Sequence, residues 1–205
     1  MNQIEAYAEL RRLGATAVRT NEAAALWRTG EGTARRRLQS FADAGLVVAL
    51  RRGLWSADTE LDPFALSPYL TAPLPAYVST FSALAAHGMI EQIPGRVSVV
   101  SLGRARRIRT AIGAFDIHQI APELFRGFVG WRRDGTIARP EKALFDLVYL
   151  GAAAGGRAYL PELTLTEPFD HDALDAWGEL IGSPRLRTLV DRRLKELVEG
   201  AMPTK

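Results

Sequence analysis

The spacing of apolar positions predicts the first elements of the chain. From Ile4 to Leu13 they recur at helical intervals, with Gly14 as a stop. Thr20 offers an N-cap oxygen to a second helix, NEAAALW, rich in strong helix formers. A turn about Arg28-Thr29-Gly30 leads to a third, GTARRRLQSFADAG, which begins at Gly32 and stops at Gly45. LVVAL then has β character, RRG reads as a turn and LWSA as the returning strand. Helix, helix, turn, helix, hairpin is the order of a winged helix-turn-helix, which we place over residues 1–58.

Phase assigns faces to the third helix. At about 100° per residue, Ala34, Leu38, Phe41 and Gly45 fall in one narrow sector, expected to be buried. Opposite lie Gly32, Thr33, Arg36, Gln39 and Ser40, with Arg35 and Arg37 on the flanks. A small residue and a hydroxyl near the helix start let it approach base edges. Arg36 then points into a groove while its neighbours reach phosphates on either side. Arg51 and Arg52 at the hairpin tip add a contact to phosphate or minor groove, and Gly53 suits the tight turn. Arg28 stands where many such turns place glycine. A solvated charged face is the alternative for the arginine run alone; the helix before it and the basic hairpin after it favour DNA.

Residues 59–75 carry Pro63, Pro68, Pro73 and Pro75 with no sustained period, and read as a domain boundary or ordered connector. Beyond, residues 76–205 mix strands and helices. AYVSTFSALAAHGM is predicted helical, capped by Ser79 or Thr80, with His87 as a C-terminal cap before Gly88. RVSVVSL alternates as a strand, AIGAFDIHQI gives two short strands around Gly113, and FVGWRR pairs with TIA about Asp134-Gly135. PEKALFDLVYL is a helix with Pro140 at its first position and Glu141 at the positive dipole end. A loop, GAAAGGRAYLPELTLTEP, precedes an acidic helix (DHDALDAWGEL) and a basic one (PRLRTLVDRRLKELVEG). The fold class is therefore α+β: an N-terminal winged helix-turn-helix, then a mixed α/β domain with a helical C-terminus.

Charge sharpens this picture by its distribution. The 205 residues hold 26 Lys and Arg against 23 Asp and Glu, a net charge of only +3. From Asp58 to Glu91 there is no Lys or Arg, whereas Gly95 to Ala114 holds Arg96, Arg104, Arg106, Arg107 and Arg109 and no acid. That second basic surface suits an extended DNA footprint, RNA or an acidic partner, or is a strand edge guarded by charge. It lacks the interleaved aromatics of an RNA platform, and the acidic helix is a candidate to pack beside it. With no cysteine, disulfides and thiolate metal sites are excluded. The proline-broken run from Pro63 to Ala86 is too polar to span a membrane, and MNQIEAYAELRRLG lacks a secretory pattern. A soluble cytoplasmic protein is expected.

Catalytic signals are thin. His87, His118 and His171 form no metal-ligand pair, so no metal or cofactor is expected. GAAAGGRA lacks the lysine and hydroxyl of a P-loop, and no GxSxG occurs. Glu141, Lys142 and Asp146 have a faint nuclease flavour, but helix capping and a surface ion pair at i,i+4 explain them more simply.

The runs YVSTFSALAAHGMIEQIPGRVSVVS, GAFDIHQIAPELFRGF and IARPEKALFDLVYL, in that order and following an RRGLW hairpin, resemble the AbiEi antitoxin family of type IV toxin–antitoxin systems. The resemblance covers roughly the first 150 residues. It implies an N-terminal winged helix that represses its own operon from double-stranded DNA; two copies on an inverted repeat, or a monomer binding cooperatively, would each fit a winged helix. It also implies a second domain that counters a nucleotidyltransferase-fold toxin without requiring a stable complex. Ser79, His87, Glu141, Lys142 and Asp146 lie in the motif of that antitoxin domain. The rival readings are a plain transcriptional regulator with a ligand- or partner-sensing second domain, and a DNA-acting nuclease.

Overall fold

The computed structural model describes residues 1–132, 134–155, 162–166 and 168–201, and mixes helices and sheets in an α+β arrangement. The central part of the expected loop between the second region's helices, residues 156–161, lies outside the described residues, as does the last residue of FVGWRR.

Helix α1 (Gln3–Arg12) starts in a reciprocal cap: the Glu5 amide donates to Asn2 Oδ1 at 2.9 Å and the Asn2 amide to Glu5 Oε2 at 3.0 Å. Strand β1 (Val18–Arg19) follows, too short to leave a period in the sequence. In α2 (Thr20–Leu26) the cap position belongs to Arg19, whose amide donates to Glu22. The expected capping oxygen of Thr20 instead accepts from Trp55 Nε1 at 3.0 Å. Helix α3 (Glu31–Asp43), β2 (Val48–Arg51) and β3 (Leu54–Ser56) complete the N-terminal region, whose strands pair antiparallel in the order β1-β3-β2. Arg28 itself adopts φ +50° where glycine was the expected residue.

The proline-rich connector is built into the fold. A 3₁₀ turn over Pro63–Leu66 and a short helix α4 (Ser67–Thr71) bury Leu66 and Leu70 in the larger core. Proline at the start of each turn fits, because the missing N–H has no partner there.

A six-stranded mixed sheet follows: β4 (Ala76–Val78), β5 (Val97–Ser101), β6 (Arg106–Thr110), β7 (Gly113–Gln119), β8 (Phe128–Trp131) and β9 (Gly135–Ala138). Its order is β6-β7-β5-β4-β9-β8, with β4 parallel to β9 and β5 parallel to β7. Two sequence expectations change here. AYV, read as the first turn of a helix, is β4 at the sheet centre, and α5 (Thr80–Ala86) begins only after it; a strand of three residues carries no period to separate the two. AIGAFDIHQI is one strand, β7, entered by a turn at Ala111-Ile112. Helix α6 (Pro140–Ala153) packs against α5 and β9, and α7 (His171–Glu179) and α8 (Pro184–Gly200) pack on α6 and on each other. The acidic α7 thus sits with the helices and not beside the basic β6.

Two cores result. The smaller joins α1, α2, α3 and the hairpin through Leu10, Trp27, Leu38, Phe41 and Trp55. The larger holds the sheet and its helices, and it also takes Ala17, Leu50 and Leu54 from the N-terminal region. No helix among the described residues is long and apolar enough to cross a membrane.

Candidate nucleic-acid interface

Helix α3 divides as its phase requires. Ala34, Leu38 and Phe41 are at most 2 % exposed, and Phe41 meets Tyr7 and Trp27 edge-on at 5.5 and 6.1 Å between ring centroids. Gly45 leaves this buried set: it is exposed, with φ +72°, and serves as the helix stop. Thr33, Arg35, Arg36, Gln39 and Ser40 are all exposed on the outer side. Arg36 Nη2 lies 3.5 Å from Thr33 Oγ1, and Gln39 donates to Asp43 Oδ1 at 2.9 Å. Arg37 is set apart from its neighbours: half-buried, its guanidinium stands 5.2 Å over the Trp27 ring and donates to the Met1 carbonyl at 3.4 Å. Trp27 is itself fixed, its Nε1 donating to the Ala6 carbonyl at 3.1 Å. A Cβ added at Gly32 would meet nothing within 4 Å, so packing does not require glycine there.

Arg51 and Arg52 are exposed at the β2–β3 tip, and Gly53 holds φ +75° in the turn. The tip is stiffened from below. Leu50, 2 % exposed, packs into the larger core, and its carbonyl accepts from the Ala111 amide at 2.9 Å. That bond places the β6–β7 turn beside the β2–β3 hairpin.

Strand β6 is one edge of the large sheet, and its arginines differ from one another. Arg107 and Arg96 share the Asp116 carboxylate at 3.4 and 3.3 Å. The acid-free stretch is therefore not free of acid in space, because register sets Arg107 opposite Asp116. Arg106 donates to the Leu70 and Arg104 carbonyls at 2.9 and 3.1 Å. Arg104 and Arg109 are exposed, with no ion pair to any described residue.

Three residues of the expected antitoxin motif, Ser79, Lys142 and Asp146, converge below the surface, whereas His87 and Glu141 bond elsewhere. Lys142 and Asp146 do pair, but at 0 % exposure each, so the surface ion pair is corrected to a buried one. Asp146 Oδ2 also accepts from Ser79 Oγ at 2.7 Å and from the Tyr77 hydroxyl at 3.0 Å. Ser79 occupies the cap position of α5 but gives its hydroxyl to Asp146 instead of the helix. The Lys142 ammonium lies within 4.9–5.8 Å of the Phe145, Trp177 and Tyr77 ring centroids. Burial pushes the Asp146 carboxyl up and the Lys142 amine down, and each partner's charge opposes the shift of the other. Tyr77 is raised, by burial first and then by Asp146. Glu141 Oε1 accepts from the Asp170 amide at 3.0 Å, tying the starts of α6 and α7 together. His87 holds the C-cap position of α5, and its Nε2 meets the Ala138 carbonyl at 2.7 Å, the geometry of a donating Nε2–H.

Tyr77 is the member that sequence reasoning missed. Its signal was weak, since it sat in a run read as helix. Tyr77, Ser79, Lys142 and Asp146 form one cluster, each of them 0 % exposed. Among the described residues no group of three or more His, Asp or Glu is placed to hold a metal ion. Neither a scan of the chain against protein-family models nor a search of curated proteins finds a match.

Proposed function

We propose that the chain is a DNA-binding winged helix-turn-helix protein that represses its own operon, and that its sheet region serves as the antitoxin against a nucleotidyltransferase-type toxin encoded beside it. The observation that carries the DNA half is the outer face of α3. Thr33, Arg36, Gln39 and Ser40 stand exposed there while the opposite face is locked in a core, with Arg51 and Arg52 on the adjoining hairpin. In this reading Thr33 and Arg36 read base edges, and Arg35, Arg51 and Arg52 hold phosphates. Arg37 contributes charge from its seat on Trp27, and Arg104 and Arg109 extend the basic surface past the hairpin. The antitoxin half rests on the resemblance of its motifs, and in this reading the protein catalyses nothing and works in the cytoplasm.

The test uses the whole chain, because Leu50 and Leu54 belong to the core of the sheet region. The product of the neighbouring reading frame is expressed to toxicity, with either the wild type or an Arg35→Ala/Arg36→Ala variant. We expect both to restore growth and only the wild type to repress a reporter driven by the operon's promoter. Failure of both to restore growth refutes the antitoxin half; equal repression by both refutes the recognition face.

A further inference from the structure

The N-terminal region meets the sheet at two separate turns. In the register, the β6–β7 and β8–β9 turns lie at opposite edges and opposite ends of the sheet. The first receives the Leu50 carbonyl. The second carries Asp134, whose Oδ2 accepts from the backbone amide of Thr16 at 3.0 Å and from the Tyr69 hydroxyl at 2.8 Å. Thr16 is 1 % exposed and its own carbonyl accepts from Ser56 Oγ at 2.7 Å, so it is locked to β3 on its other side. Arg19, at the start of α2, donates to the Tyr69 carbonyl at 3.1 Å.

The β8–β9 turn is itself pre-shaped. Trp131 Nε1 and Arg132 Nε both reach Asp62 Oδ2, at 3.0 and 3.1 Å, and Arg132 takes φ +48°. A Cβ at Gly135 would come within 2.8 Å of the Trp131 carbonyl, so only glycine lets the turn close this tightly. A carboxylate bonded to a backbone amide fixes position as well as contact.

We propose that Asp134 is a positioning residue for DNA recognition: by holding Thr16 and Tyr69 it sets the pose of α3 and its hairpin on the sheet, so that α3 and the β6 arginines meet DNA as one rigid surface. This rests on the DNA-binding role proposed above. Asp134 touches no DNA in that arrangement and acts only through geometry, by removing the freedom that binding would otherwise have to freeze out. Burial, and then the Asp134 carboxylate, push the Tyr69 phenol up to about 12, so its hydroxyl keeps the proton it donates.

The absence of native cysteine makes the test clean. Spin labels on cysteines placed at the exposed Ala44 and Arg185 report the distance between α3 and α8 in the full chain without DNA. We expect a single narrow distance distribution for the wild type, a broad one for Asp134→Ala and Tyr69→Phe, and a narrow one again for Asp134→Asn, whose amide oxygen still accepts. A duplex selected by the wild type from a random pool should bind Asp134→Ala about tenfold more weakly, at a lower salt slope, with Asp134→Asn restoring both. An unchanged distribution in Asp134→Ala overturns the positioning role, and so does a broadened one with unchanged affinity. If the wild type selects no duplex, the DNA reading itself falls, and broadening by Asp134→Ala then shows a mount that serves some other purpose.

Discussion

Helices α3 and α6 carry the two charged motifs most visible in the chain, and the fold treats them oppositely. In α3 the charges ride on the face away from an apolar stripe, and the structure leaves Arg35 and Arg36 in solvent. In α6 the i,i+4 pair Lys142–Asp146 is surrounded by Ala143, Leu144, Phe145, Leu147 and Val148, every one buried. The spacing of charges tells which side chains are neighbours. The polarity of everything else on the turn tells whether they meet water. A helix apolar on nearly all sides belongs inside, and its ions then need complete sets of partners. Asp146 has three, from Lys142, Ser79 and Tyr77.

The sharpest way to break this contrast is to remove one ion from each helix. Lys142→Met should destabilise the fold by about 3–5 kcal/mol in urea unfolding, because Asp146 loses its counter-charge in the core. Adding Asp146→Leu should recover most of that loss. Arg36→Ala should leave unfolding unchanged and weaken binding to a selected duplex by about 1–3 kcal/mol, relaxing sequence preference at one position. If Arg36→Ala destabilises the fold or Lys142→Met does not, the two helices have been assigned the wrong roles. Arg28→Gly, in the turn before α3, should stabilise by about 1 kcal/mol by relieving φ +50°.

The smallest effect is a pH dependence in the sheet. Burial lowers the His118 pKa from its usual 6.5, against the opposing pull of Asp116 and Asp146. A histidine depressed in the folded state stabilises it while neutral. That contribution is full above pH 6.5 and is lost as the pH falls toward the folded-state value. His118→Gln should therefore flatten the stability profile on the acid side of 6.5, as read by melting temperature.

How much of this was legible depends on what each element has to signal with. The α3 phase, the RRG turn and the Pro140 start of α6 were legible because amphipathicity and turn chemistry are local properties. Strand β1 was not, because two residues have no period, and the three residues of β4 were absorbed into the helix that follows. The exposed candidates of α3 were found by their phase. Tyr77 was missed, and the bonds of Ser79 and Tyr77 to Asp146 became visible only when the fold brought residues 67 and 69 positions apart into one cluster. LVVAL and LWSA were legible as strands, but what covers Leu50 and Leu54 was not.

That last feature bears on how the chain is made. The β2–β3 hairpin leaves the ribosome about sixty residues before Ala111, the donor that closes on Leu50. Until the sheet region is made, the larger core that takes the hairpin's inner leucines is incomplete. The same leucines discourage modular exchange. The N-terminal region transplanted to another sheet would carry an apolar underside, Leu50 and Leu54, tailored to this one.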